Sequence, residues 1–449
     1  MIILYKLFLQ QCIRTKEVWI SLLLITLLGV IGIIIGDKHL ERQEDAIAEV
    51  KTHQKQHFDR QVSLHNKDLG LLLYYTKFAY VNTVNSLAGI SIGQADVNPT
   101  IKQITIKTFE AQKYDTDLVN PMNLQSGNLD LSFVIIYLFP LFVIVMTFNI
   151  VSEETETGTW NLVVIQARSK LGFIITKLLI RLMLLYTILL FLFGIAKLIL
   201  NLPLDTHFFW MLGLSMLYIF FWFTLTFFII SFKKLSGFNA SLLLSIWLVL
   251  IILLPAGVNA YVSSKYPVSE ALSTAIAQRD GYHVKWDTDK LATIEKFYQH
   301  YPQFKKYGYP IDGFNWLWYY AMQQMGDDDS RKQQNALNKK IKLREQTSKR
   351  IASIIPNMHL QLLFNQLAGT SMSQQMDYLN ATNAFHEKLR LFFYPKIFED
   401  KHADTIDWNQ FKPEYYDVEV NLQPMQSMAP LIIASIIMLL ISIPKMKRL

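Results

Sequence analysis

The chain has 449 residues, 51% hydrophobic and 18% charged, with 43 Lys and Arg against 36 Asp and Glu for a formal net charge of +7. Its apolar residues fall in runs of about twenty, the length that crosses a hydrocarbon layer of roughly 30 Å, which sets aside a soluble multidomain protein. The positive balance then reads as membrane topology rather than nucleic-acid affinity, and the single cysteine, Cys12, excludes an intramolecular disulfide.

In chain order, residues 1–17 come first. Leu4, Leu7, Phe8 and Cys12 fall on one helical face and Lys6, Gln10 and Arg14 on the other, the pattern of an amphipathic helix lying in the membrane interface. The run from Val18 to Ile35 is longer than a signal-peptide core, and Gly36-Asp37-Lys38-His39 offers no cleavage site, so it reads as an uncleaved anchor. Six spans are predicted: 18–36, 131–151, 171–200, 207–231, 238–257 and 429–443.

Lys6, Arg14 and Lys16, then Arg168 and Lys170, then Lys233 and Lys234, and finally Lys445, Lys447 and Arg448 flank alternate crossings. The short loop 198–206 has no Lys or Arg, with Lys197 at its edge. By the positive-inside pattern both termini are expected in the cytoplasm of a bacterial inner-membrane protein. The fold class is thus a mainly α membrane protein of six transmembrane helices. It carries a large, mostly helical extracytoplasmic domain built from two insertions, 37–130 and 258–428, and ends in a sixth span with a basic tail over 429–449.

In the first insertion, Asp37 to Asn66 lacks Gly and Pro and is expected to continue the first helix out of the membrane. Leu69 to Leu87 is expected to pack back on it, and the imperfect alternation from Ile101 to Phe109 allows a strand. In the second, helices are expected near 268–280, 288–300, 331–352 and 374–393. Tyr301-Pro302 and Tyr309-Pro310 are breaks, and Gly326-Asp327-Asp328-Asp329-Ser330 is a turn and cap. Pro140 is expected to kink span two, and Pro255 to kink span five or end it. Lys177 and Arg181, near the start of span three, are expected to snorkel to headgroups. The aromatic excess of span four, from Phe208 to Phe228, suits lipid contact or a greasy path.

No catalytic constellation emerges. His386-Glu387 stands in Ala384-Phe385-His386-Glu387-Lys388-Leu389-Arg390, where a zinc helix would need a second His at 390, and the Asp327 to Asp329 run lacks the spacing of a calcium loop. No P-loop sequence occurs. The unusual segment is 153–170, between spans two and three. Glu153, Glu154 and Glu156 suit the positive end of a helix, and Gly158 permits a bend. Thr157 or Thr159 can cap, and Trp160, Val163, Val164 and Ala167 then share one face. An inner loop this apolar reads as a short helix at the membrane surface on which a second protein pushes.

Ser152-Glu153-Glu154-x-Glu156-x-Gly158-Thr159 resembles the segment that opens the coupling helix of ABC-2-type transporter permeases. Gly127-Asn128-Leu129-Asp130-Leu131-Ser132-Phe133, Leu367-Ala368-Gly369-Thr370 and Asn383-Ala384-Phe385-His386 resemble the DUF3526 subgroup of that family. Trp160 departs from it, since a smaller aliphatic residue is usual there. The resemblance implies a permease with no ATPase site of its own. A separate ABC ATP-binding subunit, carrying ATP and Mg, would meet Glu153, Glu154, Glu156, Gly158, Thr159 and Trp160. A second permease protomer, identical or similar, would complete the membrane core within the lipid. Export of an amphipathic or peptidic substrate is the first expectation. A mechanotransmission complex acting on envelope proteins, without transport, is the alternative, and a membrane-bound enzyme ranks third.

Overall fold

Among the described residues, six helices are long and apolar enough to cross a bilayer: Val18–His65, Leu131–Glu156, Lys170–Ile199, Thr206–Ile230, Ser236–Lys265 and Ser427–Lys447. The computed structural model describes residues 2–113, 128–167, 169–268, 276, 284, 286–287, 289–420 and 424–447. The helix expected near 268–280, Arg168, Gly127 and Arg448 lie wholly or largely outside them. The amphipathic segment is a separate helix, Ile2–Arg14, with Gln10 and Arg14 exposed and Cys12 buried.

The helix of the first span does continue past its apolar run. Lys16–His65 is one 50-residue helix, about 75 Å long at 1.5 Å per residue. Gly36 lets it touch the Ser86–Gly89 turn, because an added Cβ would collide with the Gly89 carbonyl. Asp130 opens span two: its carboxylate accepts from Phe133 N at 2.8 Å and from Ile92 N at 2.9 Å, joining the first insertion to the bundle.

Span four is the centre of the bundle. Phe208, Tyr218, Phe221, Trp222, Phe223 and Phe227 are all buried, so its aromatic excess is mainly helix-packing surface, with Phe209 left exposed. Pro140 and Pro255 each follow a π-helical turn, Val134–Leu138 and Val249–Leu253. A proline donates no N–H to the carbonyl four residues back, and widening the turn absorbs the mismatch. At Pro140 that carbonyl is Ile136 O, which accepts from the buried Tyr218 hydroxyl at 2.9 Å; next to it, Tyr137 O accepts from Trp247 Nε1 at 3.1 Å. Pro255 does not end span five, whose helix runs on to Lys265.

The two insertions form one domain around a three-stranded sheet. Strand β1 (Phe78–Asn82) lies between β2 (Ile101–Ile104), antiparallel with Phe78 opposite Ile104, and β3 (Glu414–Tyr416), parallel with Tyr80 opposite Glu414. The strand expected over 101–109 is thus shorter, and Phe109 begins a helix, Phe109–Lys113. The Pro356–Leu367 helix packs on the bundle of apolar helices through Leu360, Leu363, Phe364 and Leu367, while Lys290–His300, Trp316–Ala352 and Met372–Phe398 gather around the sheet. Their core is aromatic, with Phe78 against Phe58, Phe393 and Phe411, and Phe297 against Tyr301 and Tyr394.

The expected turn at Gly326 to Ser330 is corrected: these residues lie inside the Trp316–Ala352 helix. Tertiary partners override their local preference. Asp327 accepts from Phe109 N at 2.8 Å and pairs with the buried Arg390 at 2.8 Å, while Asp328 pairs with Arg331 at 2.6 Å and with His300 at 3.2 Å. Arg390 also donates to Ile106 O, Lys107 O and Gln324 Oε1. His386 bonds Lys107 O at 2.9 Å, and burial with the Arg390 charge drives its imidazole well below the usual range.

Burial also raises the Glu110 carboxyl, from 4.5 to about 7. A carboxyl raised on folding stabilises most fully below its unfolded value and loses that contribution as pH rises through the folded one. Thermal unfolding of the full chain should therefore show wild type losing up to about 3 kcal/mol relative to Glu110→Gln between roughly pH 4.5 and 7. Parallel curves for the two proteins would contradict this.

Candidate functional site

The segment after span two folds as two short helices, Ser152–Glu156 and Trp160–Gln166, joined by a turn. Gly158 carries the bend with φ +75°, and open space surrounds its α-carbon, so the demand for glycine is conformational rather than steric. The threonines do not cap the second helix. Thr159 turns its hydroxyl back to Glu154 Oε2 at 2.5 Å, and Thr157 donates to Glu153 O at 2.8 Å. The Thr159 hydroxyl donates to the carboxylate in a charge-assisted bond, and the side-chain orientation that makes this bond leaves the second helix's N–H groups without a side-chain cap. Ser169 then caps span three, accepting from Gly172 N at 3.1 Å.

Each glutamate has a separate attachment. Glu153 accepts from Asn149 Nδ2 at 2.9 Å. Glu154 pairs with Lys177 of span three at 2.5 Å, with the two side chains only 20% and 10% exposed. Glu156 receives Ser236 N at 2.7 Å and Ser236 Oγ at 3.0 Å, holding the first turn of span five, and Ser236 Oγ also reaches Ser152 Oγ at 2.7 Å. The acidic run therefore brackets spans two, three and five.

This corrects the snorkelling expectation for Lys177. Its ammonium turns to Glu154 and sits against the rings of Phe8 and Phe173, 5.4 and 4.9 Å from their centroids. In a half-buried position a nearby carboxylate and two rings replace headgroup contact. Arg181, one turn on, faces Cys12 of the N-terminal helix and lies in the field of Glu153. Phe8 packs edge-on against Phe173 at 4.9 Å, which fastens that helix to span three. Lys445 covers the ring of Phe232 at 4.1 Å. Hence the N-terminal helix, the acidic segment, the 231–235 turn and the end of span six share one end of the bundle, opposite the large domain.

The second helix is docked through the face expected from its sequence: Trp160, Val163, Val164 and Ala167 are half-buried, and Trp160 packs against the membrane core. The opposite face was not anticipated. Leu162 is 58% and Ile165 81% exposed, two large aliphatic side chains one turn apart. Their exposure could not be separated from Val163 and Val164 by composition alone. Among the described residues, no group of three His, Cys, Asp or Glu is placed to hold a metal ion.

Residues 271–416 match a family model described as a domain of unknown function, DUF3526. The match lies in the large domain and does not extend to the acidic segment. No curated protein and no solved structure matches the chain.

Proposed function

We propose that this chain is the permease subunit of an ABC-2-type transporter in a bacterial cytoplasmic membrane. In this reading it exports an amphipathic or peptidic substrate with energy from ATP hydrolysed, with Mg, by a separate ATPase subunit. The observation that carries the reading is the acidic bracket. A surface helix offering Leu162 and Ile165 outward is tied by Glu154 and Glu156 to spans three and five, so a push on it reaches both. The ATPase would prefer one arrangement of the bracket when ATP closes it, and that differential affinity shifts the spans. The apolar faces that spans one, five and six leave exposed suit lipid and a second permease protomer.

Glu154→Lys should reduce ATPase stimulation by at least about tenfold, the low end of what losing a charge-assisted bond of 1.5–3 kcal/mol implies. Adding Lys177→Glu should restore it in part, since Phe8 and Phe173 favour a cation at 177. Normal stimulation in the single variant, with the protein still folded, would refute the bracket as a coupling element.

One observation favours a second reading, mechanotransmission to envelope partners without transport. Span five is gripped by Glu156 at Ser236, and beyond its other end Arg344 of the large domain donates to Tyr266 O at 2.7 Å and Lys340 to Pro267 O at 2.9 Å. With the unbroken Lys16–His65 helix, this provides two stiff connections from the bracket end to the large domain.

A further inference from the structure

Between the Trp316–Ala352 and Met372–Phe398 helices and the short Phe109–Lys113 helix lies a cavity of about 460 Å³, many times the roughly 30 Å³ share of one water. Its cations are already engaged. Arg390 is held by Asp327, Gln324 and two backbone carbonyls, and Arg331 by Asp328. An anion would find no uncommitted charge among them. The acceptor side is different. Glu110 lines the cavity, is only 6% exposed, and its Oε2 has no hydrogen-bond partner, while Gln334 bonds the carboxyl. Asn335, Asn383 and Glu387 also line the cavity, Glu387 accepting from Tyr301 at 2.7 Å.

A buried carboxyl oxygen left unsatisfied costs about 1–3 kcal/mol, and a donor from a ligand recovers it. We infer that this cavity is a binding site for a cationic nitrogen, an amine or guanidinium carried by a small molecule or by a basic side chain of a peptide. The cation would favour the ionised Glu110 carboxylate, in the field of Lys113, Asp327 and Arg331 on neighbouring turns and of His300, His386, Glu387 and Arg390 around the wall. Near neutral pH its binding therefore releases a proton. The inference is independent of the coupling proposal, because it concerns neither the bracket nor the ATPase.

Calorimetric titration of the full chain in lipid nanodiscs tests it with three probes: agmatine, a blocked Gly-Lys-Gly tripeptide and butyrate. Saturable binding of agmatine alone identifies a free amine or guanidine, and binding of the tripeptide identifies a basic side chain. In either case the heat should vary with the ionisation enthalpy of the buffer. Glu110→Gln, which copies the protonated carboxyl and whose folding is checked by its melting curve, should weaken binding at least tenfold. Failure of both cations to saturate, unchanged affinity in folded Glu110→Gln, or equal binding of butyrate would each overturn the inference.

Discussion

Ile165→Asp should abolish capture of the cognate ATPase by the purified chain while leaving its melting curve unchanged. The side chain is 81% exposed, so the substitution removes almost no packing within the protein. A charge placed in the middle of an apolar contact, by contrast, costs a binding hot spot at least about 2 kcal/mol, and a loss near 3 kcal/mol weakens association on the order of a hundredfold. Leu162→Asp should behave alike, and Val164→Ala much less. Co-purification and ATPase stimulation measure the outcome. Undiminished capture by folded Ile165→Asp would place the ATPase contact elsewhere and leave the bracket without its proposed input.

The second large effect is on stability. Arg390→Ala should destabilise the large domain by about 3–5 kcal/mol, because it removes the counter-charge of the buried Asp327 carboxylate and a donor to the Ile106 and Lys107 carbonyls. Arg390→Met with Asp327→Asn should recover most of that loss, since no charge is then stranded and the Asn oxygen still serves Phe109 N. Thermal unfolding and protease resistance of the full chain report both variants. A single variant as stable as wild type would show that the pair contributes nothing.

Legibility differed by element for physical reasons. The continuation of the first helix past Gly36 was readable because no Gly or Pro interrupts it until His65, and local propensity suffices over that length. The bend at Gly158 was readable because few other residues adopt φ +75° without strain. Gly326 to Ser330 misled because Asp327 and Asp328 draw their stability from Phe109, Arg390 and His300, residues distant in the chain. The snorkelling expected of Lys177 failed because its partner, Glu154, lies 23 residues away.

By itself the sequence determined the count of apolar helices, the position of the acidic segment between two of them and the aliphatic character of the stretch after Trp160. Run length and spacing are local quantities, and a bilayer's thickness translates them directly into helices. Tertiary structure alone decided that Glu154 and Glu156 reach different spans, that Leu162 and Ile165 face outward, and that Glu110 meets a cavity walled mostly by residues distant in the chain, from His300 to Arg390. Those outcomes depend on which buried polar groups find partners across the fold, a competition that no short window of residues contains.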